Sequence, residues 1–479
     1  EYKLFVIIYL VLLSSFFIGK NHDDFPYYHL PFSLQLVEQK LQFGLGNINI
    51  AYNHFSSLFH INSVFYLPFV DFYLFNLTNF LFQIFFFSGL LLLISRNETP
   101  NFTKIFLSLT LILYLVKFSR LAEYGADLPG QLLALYSVIF CSVIFLGDKI
   151  LEEKKAFKLF ELSLYFLIFA ITTKILYSIY LIIPIILMFS FFKIEKIIKY
   201  FFNFRFLFIS SLSLASLIFY NFASSGCLLY PISNTCFYET ISWTLKEETV
   251  NHMKTHYNTW SKAGLGAGYG VSDQLGYLEN FSWIKNWFSK YFFTKVSDFL
   301  LLIIFIILIT FFTFKNNFFQ KEKTFKQSKN FIFFQILFFI VLSFWFLNFP
   351  TLRYAGYTIV FLFLVFPFCL YLSNKVELSF LVVKKKFFVL FVISLLVFNI
   401  KNLSRLNNEL SIDVSQNHNF SNFPFFWIKD VKYQYFKSEN LIYNIVERGN
   451  KCWATPSVCI TSDGTKTKKI KNYIIHFKK

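Results

Sequence analysis

Residues 297–314 read SDFLLLIIFIILITFFTF, with one charge, Asp298, at the start. An α-helix rises 1.5 Å per residue, so about 20 mostly apolar residues cross the hydrocarbon of a bilayer. Similar stretches lie near 4–19, 72–94, 104–118, 129–147, 158–173, 175–192, 204–223, 331–348, 354–373 and 387–400. Together they predict an all-α polytopic membrane protein of about 11 transmembrane helices. The first is too long and too embedded in the pattern for a signal peptide alone, and no small-residue cleavage site follows it. The stretch 158–192 reads as a kinked pair or one long helix, and the last span is short.

The composition agrees. The chain has 479 residues, 56 % apolar and 15 % charged, where a soluble chain carries about 45–50 % and 25 %. That balance sets aside a soluble enzyme, a disordered chain and a nucleic-acid binder. The excess of Lys+Arg 45 over Asp+Glu 27 gives +18, which cytoplasmic loops of a membrane protein absorb without a polyanionic partner. The 72 Phe residues read as codon bias, because Phe, Ile, Lys, Asn and Tyr share A/T-rich codons.

Lys and Arg crowd one set of short loops, around 96–104, 149–158, 193–205, 315–329 and 375–386. Those loops are expected in the cytoplasm. The N-terminus is then inside, and the segments 20–71, 224–296 and 401–479 lie outside. Domain organisation follows: a membrane core over 1–400 and a small extracytoplasmic segment over 401–479. All 8 His and all but one of the 7 Trp fall in the outer segments. So do the pairs Cys227 with Cys236 and Cys452 with Cys459. Close pairs in an oxidising compartment favour disulfides. Zinc is the competing reading, and neither pair has the usual two-residue spacing. Cys141 and Cys369 sit in spans as small apolar residues. There is no fixed-period repeat and no Walker-type loop, and the alternating glycines Gly264 to Gly270 mark an outer loop.

Ionisable residues collect at the outer boundary. After the first span comes His22-Asp23-Asp24-Phe25-Pro26-Tyr27-Tyr28-His29. Adjacent carboxylates repel, so one keeps its proton unless a cation is near, which suits a general base or a metal-assisted site. A solvated helix stop accounts for the same residues. The turn Arg120-Leu121-Ala122-Glu123-Tyr124-Gly125-Ala126-Asp127-Leu128-Pro129 offers Asp127 either as a helix N-cap or as a site acid. Arg120 offers a fork to phosphate. Lys174 stands between two apolar runs, as a functional cation or one snorkelling to the interface. Arg353 and Tyr354 lie in another short outer turn. Three cations and two acidic clusters at one depth frame a phosphate-bearing lipid head group. Trp243, Trp260, Trp283, Trp287, Trp427 and Trp453 are stacking platforms or interfacial anchors, anchoring being the expectation for Trp283 and Trp287. His252 and His256 would share a helix face.

In the placing of these residues the sequence resembles the GT-C superfamily of integral-membrane glycosyltransferases, which includes protein O-mannosyltransferases and the aminoarabinose transferase of lipid A. Those enzymes carry an acidic pair just after the first helix, where Asp23-Asp24 stands here, although the usual second acid is Glu. They often carry another acid between the third and fourth spans, where Asp127 stands. The resemblance covers about residues 1–400. It implies a multi-pass protein of a bacterial inner membrane, with a polyprenyl-phosphate-linked sugar donor and a glycan, lipid or protein acceptor. Arg120, Lys174 and Arg353 are the implied phosphate contacts, with His29 and Tyr354 as further substrate contacts. Asp23 is the implied base, with Asp24 and Asp127 orienting it or holding a divalent cation, the one cofactor considered. Single displacement would invert the anomeric carbon. The rivals are an O-antigen polymerase or ligase working through outer-loop arginines, a lipid-linked oligosaccharide flippase, and a non-catalytic envelope assembly protein. Transporters often show repeated halves and mid-membrane charges.

Overall fold

The structure, a computed structural model, describes residues 2–18, 24–96, 99–121, 125–146, 152–201, 204–266, 269–315, 329–375, 380–411, 433–438, 441–446, 452–460 and 464–478. Each expected span contains a helix: α1 (Tyr2–Leu12), α2 (Asn76–Ser95), α3 (Asn101–Lys117), α4 (Asp127–Phe145), α5 (Glu153–Thr173), α6 (Ile182–Phe191), α7 (Phe204–Ser225), α8 (Ser297–Phe314), α9 (Lys329–Asn348), α10 (Tyr357–Lys375) and α11 (Phe380–Leu410). Among the described residues, 8 helices are long and apolar enough to cross a membrane. The chain is therefore a multi-pass helical protein, and three of the expected helices are shorter than those eight. The three shortfalls are α1, α3 and α6, of 11, 17 and 10 residues.

Two of the shortfalls have a local cause. α3 is buried without a break from Phe102 to Leu115. It is a central strut, and its apolar sequence serves protein packing as well as it would serve lipid. α6 is short because the chain between it and α5 is a 3₁₀ segment, Ile175–Leu181. Thr172 and Thr173 end α5 by turning their hydroxyls onto the carbonyls of Phe169 and Ala170, and Lys174 is extended at φ −161°. The 158–192 stretch is thus two helices with a break at Lys174. The last span is longer than expected, since α11 runs 31 residues to Leu410 and crosses the expected domain boundary at 400.

Phenylalanine does much of the core packing. Phe366 of α10 meets Phe102 at 4.9 Å, Phe338 at 5.0 Å, Phe334 at 5.4 Å and Phe331 at 5.6 Å between ring centroids, tying α3, α9 and α10 together. Other apolar side chains point outward. Leu301, Phe305 and Phe312 of α8, and Leu207, Phe208 and Leu212 of α7, are exposed, as a lipid-facing surface requires.

β-structure departs from a purely helical reading. β1 (Gln42–Phe43) pairs in parallel with β8 (Tyr473–Phe477), and β8 pairs antiparallel with β7 (Lys466–Ile470). A hairpin joins β2 (Leu265–Gly266) to β3 (Tyr269–Gly270), and β4 (Tyr433–Ser438), β5 (Leu441–Val446) and β6 (Cys459–Ile460) form another sheet. The C-terminal segment is thereby fastened to the first long loop. Its Cys452–Cys459 disulfide is formed, as is Cys227–Cys236. Trp453 donates its backbone N–H to the carbonyl of Pro26 at 3.0 Å, and Ser457 N–H donates to Glu38 at 2.8 Å.

Close packing at one glycine positions the site. A Cβ on Gly130 of α4 would lie 2.5 Å from Cζ of the buried Tyr177. The Tyr177 hydroxyl donates to the carbonyl of Asp127 at 2.8 Å, so the ring has no room to retreat. Gly130→Ala gains up to about 1 kcal/mol of helix propensity but overpacks this contact at about 1–3 kcal/mol. The expected result is a lower unfolding temperature in detergent; an unchanged or higher one refutes the packing argument.

Candidate functional site

Four segments distant in sequence meet at one end of the bundle. Asp24 opens a five-residue π-turn, Phe25–His29, and its carbonyl accepts from the N–H groups of Tyr27, Tyr28 and His29. Asp127 is the first residue of α4. The N-cap position itself is Ala126. One carboxylate oxygen of Asp127 takes the Lys174 ammonium, and the other takes Arg353 Nε at 2.9 Å. Arg353 turns its Nη2 to Asp24 at 2.8 Å. One guanidinium therefore joins both acidic clusters.

The turn that carries Arg353 is held from every side. Gln131 of α4 donates to the carbonyl of Leu352 at 3.2 Å and accepts from Thr358 N–H at 3.0 Å. The Tyr180 hydroxyl donates to the carbonyl of Ala355 at 2.6 Å, and Leu352 N–H donates to the Tyr291 hydroxyl at 2.8 Å. Ala355 is left-handed at φ 64°, a conformation that costs a non-glycine residue about 1 kcal/mol or more. Trp287 donates its indole N–H to Pro350 at 2.7 Å and Trp345 donates to Thr351 at 3.2 Å. Trp283 and Trp287 are buried. Trp287 pins the turn, and Trp283 packs on Phe346 at 5.4 Å between ring centroids.

A cavity of about 350 Å³ adjoins this network, lined by residues that include Tyr28, His54, Asp127, Lys174, Arg353 and Tyr354. Lys174 Nζ lies 4.4 Å from the Tyr354 ring centroid. Asp127 is 5 % exposed, against 21 % for Arg353, 24 % for Lys174 and 31 % for Asp24. Asp127 thus sits behind the cations and aims them at the cavity, while Asp24 stands at its edge. The charged lining residues are Asp127 against Lys174, Arg353 and Lys254, a positive balance that favours an anion. His29 also lines the cavity, packed between Tyr28 at 4.5 Å and Phe59 at 5.2 Å.

Asp23 lies outside the described residues, as do His22, Glu123 and Trp427. Arg120 does not line this cavity; it stands three residues after Lys117, beyond the end of α3. Among the described residues no group of three His, Cys, Asp or Glu could hold a metal ion. The His252 and His256 rings lie 6.3 Å apart without such a third partner. The two described acids share Arg353 where a divalent cation was considered, so the donor set does not favour one.

His54 and Tyr257 were not singled out from sequence. The His54 ring tilts against Tyr28 at 4.7 Å, and its Nε2 meets the Tyr257 hydroxyl at 3.1 Å. Burial pushes the imidazole down from 6.5 to about 4, with Lys174 and His256 acting the same way and Asp24 opposing. Burial lowers His476 to about 4 as well. The unfolded chain takes up these protons near pH 6.5 and the folded chain only near pH 4. Stability is full above pH 6.5 and is lost as pH falls through that window. Thermal unfolding from pH 7 to pH 4 should show the fall, and His54→Gln, which cannot titrate, should flatten it in part. An unchanged slope in the variant would remove His54 from this account.

The fold and site together define a multi-pass helical protein that holds an acid–base network beside a cavity at one end of its bundle. The chain belongs to the family described as a domain of unknown function, DUF8201, whose model matches residues 1–361. That region contains Asp24, Asp127, Lys174 and Arg353; the Cys452–Cys459 loop lies beyond it. No curated protein and no solved structure matches the chain.

Proposed function

We propose that this protein is an integral-membrane glycosyltransferase of GT-C type. It moves a sugar from a polyprenyl-phosphate donor to an envelope glycan, lipid or protein acceptor on the extracytoplasmic face of a bacterial inner membrane. The observation that carries the reading is the single guanidinium of Arg353 shared by Asp24 and Asp127, set at a cavity whose lining has a surplus of cations. A volume of about 350 Å³ lies at the lower end of small-molecule pockets, about 300–1,000 Å³. It suits a sugar phosphate whose prenyl tail stays in lipid.

In this reading Lys174 and Arg353 receive the donor phosphate, and Asp127 holds both in place. The acceptor hydroxyl gives its proton to Asp23 while its oxygen bonds to the anomeric carbon. The bond from that carbon to the phosphate oxygen breaks, and the electron pair leaves with polyprenyl phosphate, whose charge the two cations stabilise. Attack opposite the leaving group inverts the configuration. Tyr354 and His29 border the sugar.

Purified protein in lipid nanodiscs, given polyprenyl-phosphate sugars and an envelope extract as acceptor, should release polyprenyl phosphate and form an inverted glycoside. A flippase or assembly protein would leave every donor intact, and that outcome overturns the proposal. A glycan lost from the surface of a deletion strain, read by mass spectrometry, identifies sugar and acceptor.

A further inference from the structure

Arg120 belongs to a second group of cations on another side of the bundle. At the end of α3, Lys117 lies over Phe299 of α8, one turn beyond Lys295, and Arg120 follows it three residues on. Lys401 and Arg405 of α11 bond to Val116 and Ser119 beside it. Of these, Lys295 and Lys401 are exposed. None of the five lines the cavity beside Arg353. The described acids close by are Asp298 and, one turn beyond Arg405, Glu409.

Part of this cluster has a structural task. Lys401 Nζ donates to the carbonyl of Val116 at 3.4 Å, and Arg405 donates to Ser119 Oγ at 3.0 Å. Both close the C-terminal end of α3, where cations are favoured by the helix dipole. Lys117 lies over the Tyr357 ring at 4.8 Å and the Phe299 ring at 5.9 Å. That capping uses Lys401 and Arg405, while Lys295 stands exposed at the head of α8 beside them. Asn402, buried within the group, accepts from Arg405 at 3.0 Å, and its Nδ2 donor has no partner among the described residues.

Below the cations the surface changes character. α8 and α11 pack against each other and against α3, and they present Leu301, Phe305, Leu396, Ile400 and Leu403 as exposed side chains. A cationic rim above an apolar helix surface complements a molecule with an anionic head and an acyl tail. A free phosphate would use only the rim, and a neutral lipid only the apolar part.

We propose that the α3–α8–α11 corner is a binding site for an anionic glycerophospholipid, its phosphate among Lys117, Arg120, Lys295 and Lys401 and its chains along α8 and α11. The site stands apart from the cavity and does not depend on the glycosyltransferase reading.

The test is native mass spectrometry of the full chain in detergent, supplied with phosphatidylglycerol or phosphatidylcholine of equal chain length. Wild type should retain phosphatidylglycerol in preference, and excess inorganic phosphate should not displace it. Lys295→Gln with Lys401→Gln, both at exposed positions, should lower that retention by about 25-fold, since each interfacial cation is worth about fivefold. Lys295→Arg with Lys401→Arg, which preserves charge, should retain it. Equal retention of the two lipids by wild type overturns the proposal. So does undiminished phosphatidylglycerol on the Gln pair, or an equal loss on Lys154→Gln with Lys155→Gln at the start of α5. Displacement by inorganic phosphate would mean an anion site without a lipid, and also defeats it. If the Gln pair misfolds, loss of lipid from the Arg pair, eluting as wild type, defeats it too.

Discussion

Arg353→Gln should destabilise the protein by about 3–5 kcal/mol, the usual cost of removing one partner from a buried ion pair. The guanidinium is 21 % exposed and links Asp127, at 5 %, to Asp24, at 31 %. Without it Asp127 keeps only Lys174 from the described network, and two carboxylates that shared one cation are left to repel each other. The loss is also topological. Arg353 ties the α10 turn to the first loop and to α4 across sequence separations of 329 and 226 residues. Arg353→Lys should recover only part, because an ammonium on a single stem cannot present Nε and Nη2 to two carboxylates at once. Asp24→Asn added to Arg353→Gln should restore part of the loss by removing one orphaned charge. Thermal unfolding in detergent reads all three. Should Arg353→Gln unfold at the wild-type temperature, the network contributes nothing to stability.

Which polar residues would meet was only partly legible from sequence. Hydropathy windows put Lys174, Arg353, Asp127 and Arg120 at the ends of apolar stretches. Arg353 and Lys174 converge on Asp127, while Arg120 does not line their cavity, because helix packing decides which face a loop residue meets. Hydropathy also cannot tell a helix buried in protein from one facing lipid, so nothing in the sequence marks α3 as the buried one. The Cys452–Cys459 pairing was readable from its spacing. The attachment of β8 to β1 was not, since a two-residue strand such as Gln42–Phe43 carries no periodic signal. His54 was hidden for a similar reason. A lone histidine in a loop acquires its environment only when Tyr28 and Tyr257 fold over it.

Exchanging each site acid for its amide should divide the roles. Asp23→Asn removes the proposed proton acceptor, and general-base catalysis contributes about 10²–10⁴-fold, so kcat should fall by that much with the donor KM little changed. Asp127→Asn leaves the base in place. It removes the carboxylate that holds Lys174 and Arg353, and hydrogen bonds to charged groups are worth about 1.5–3 kcal/mol. The two cations should then spread over more rotamers, raising the donor KM by about 10–100-fold and lowering stability, with a smaller effect on kcat. The asymmetry follows from position, since a carboxylate with an oxygen on each of two cations is a poor proton acceptor and a good anchor. If Asp127→Asn instead abolishes kcat while donor KM and unfolding temperature stay at wild-type values, Asp127 is the base and the assignment of roles is reversed.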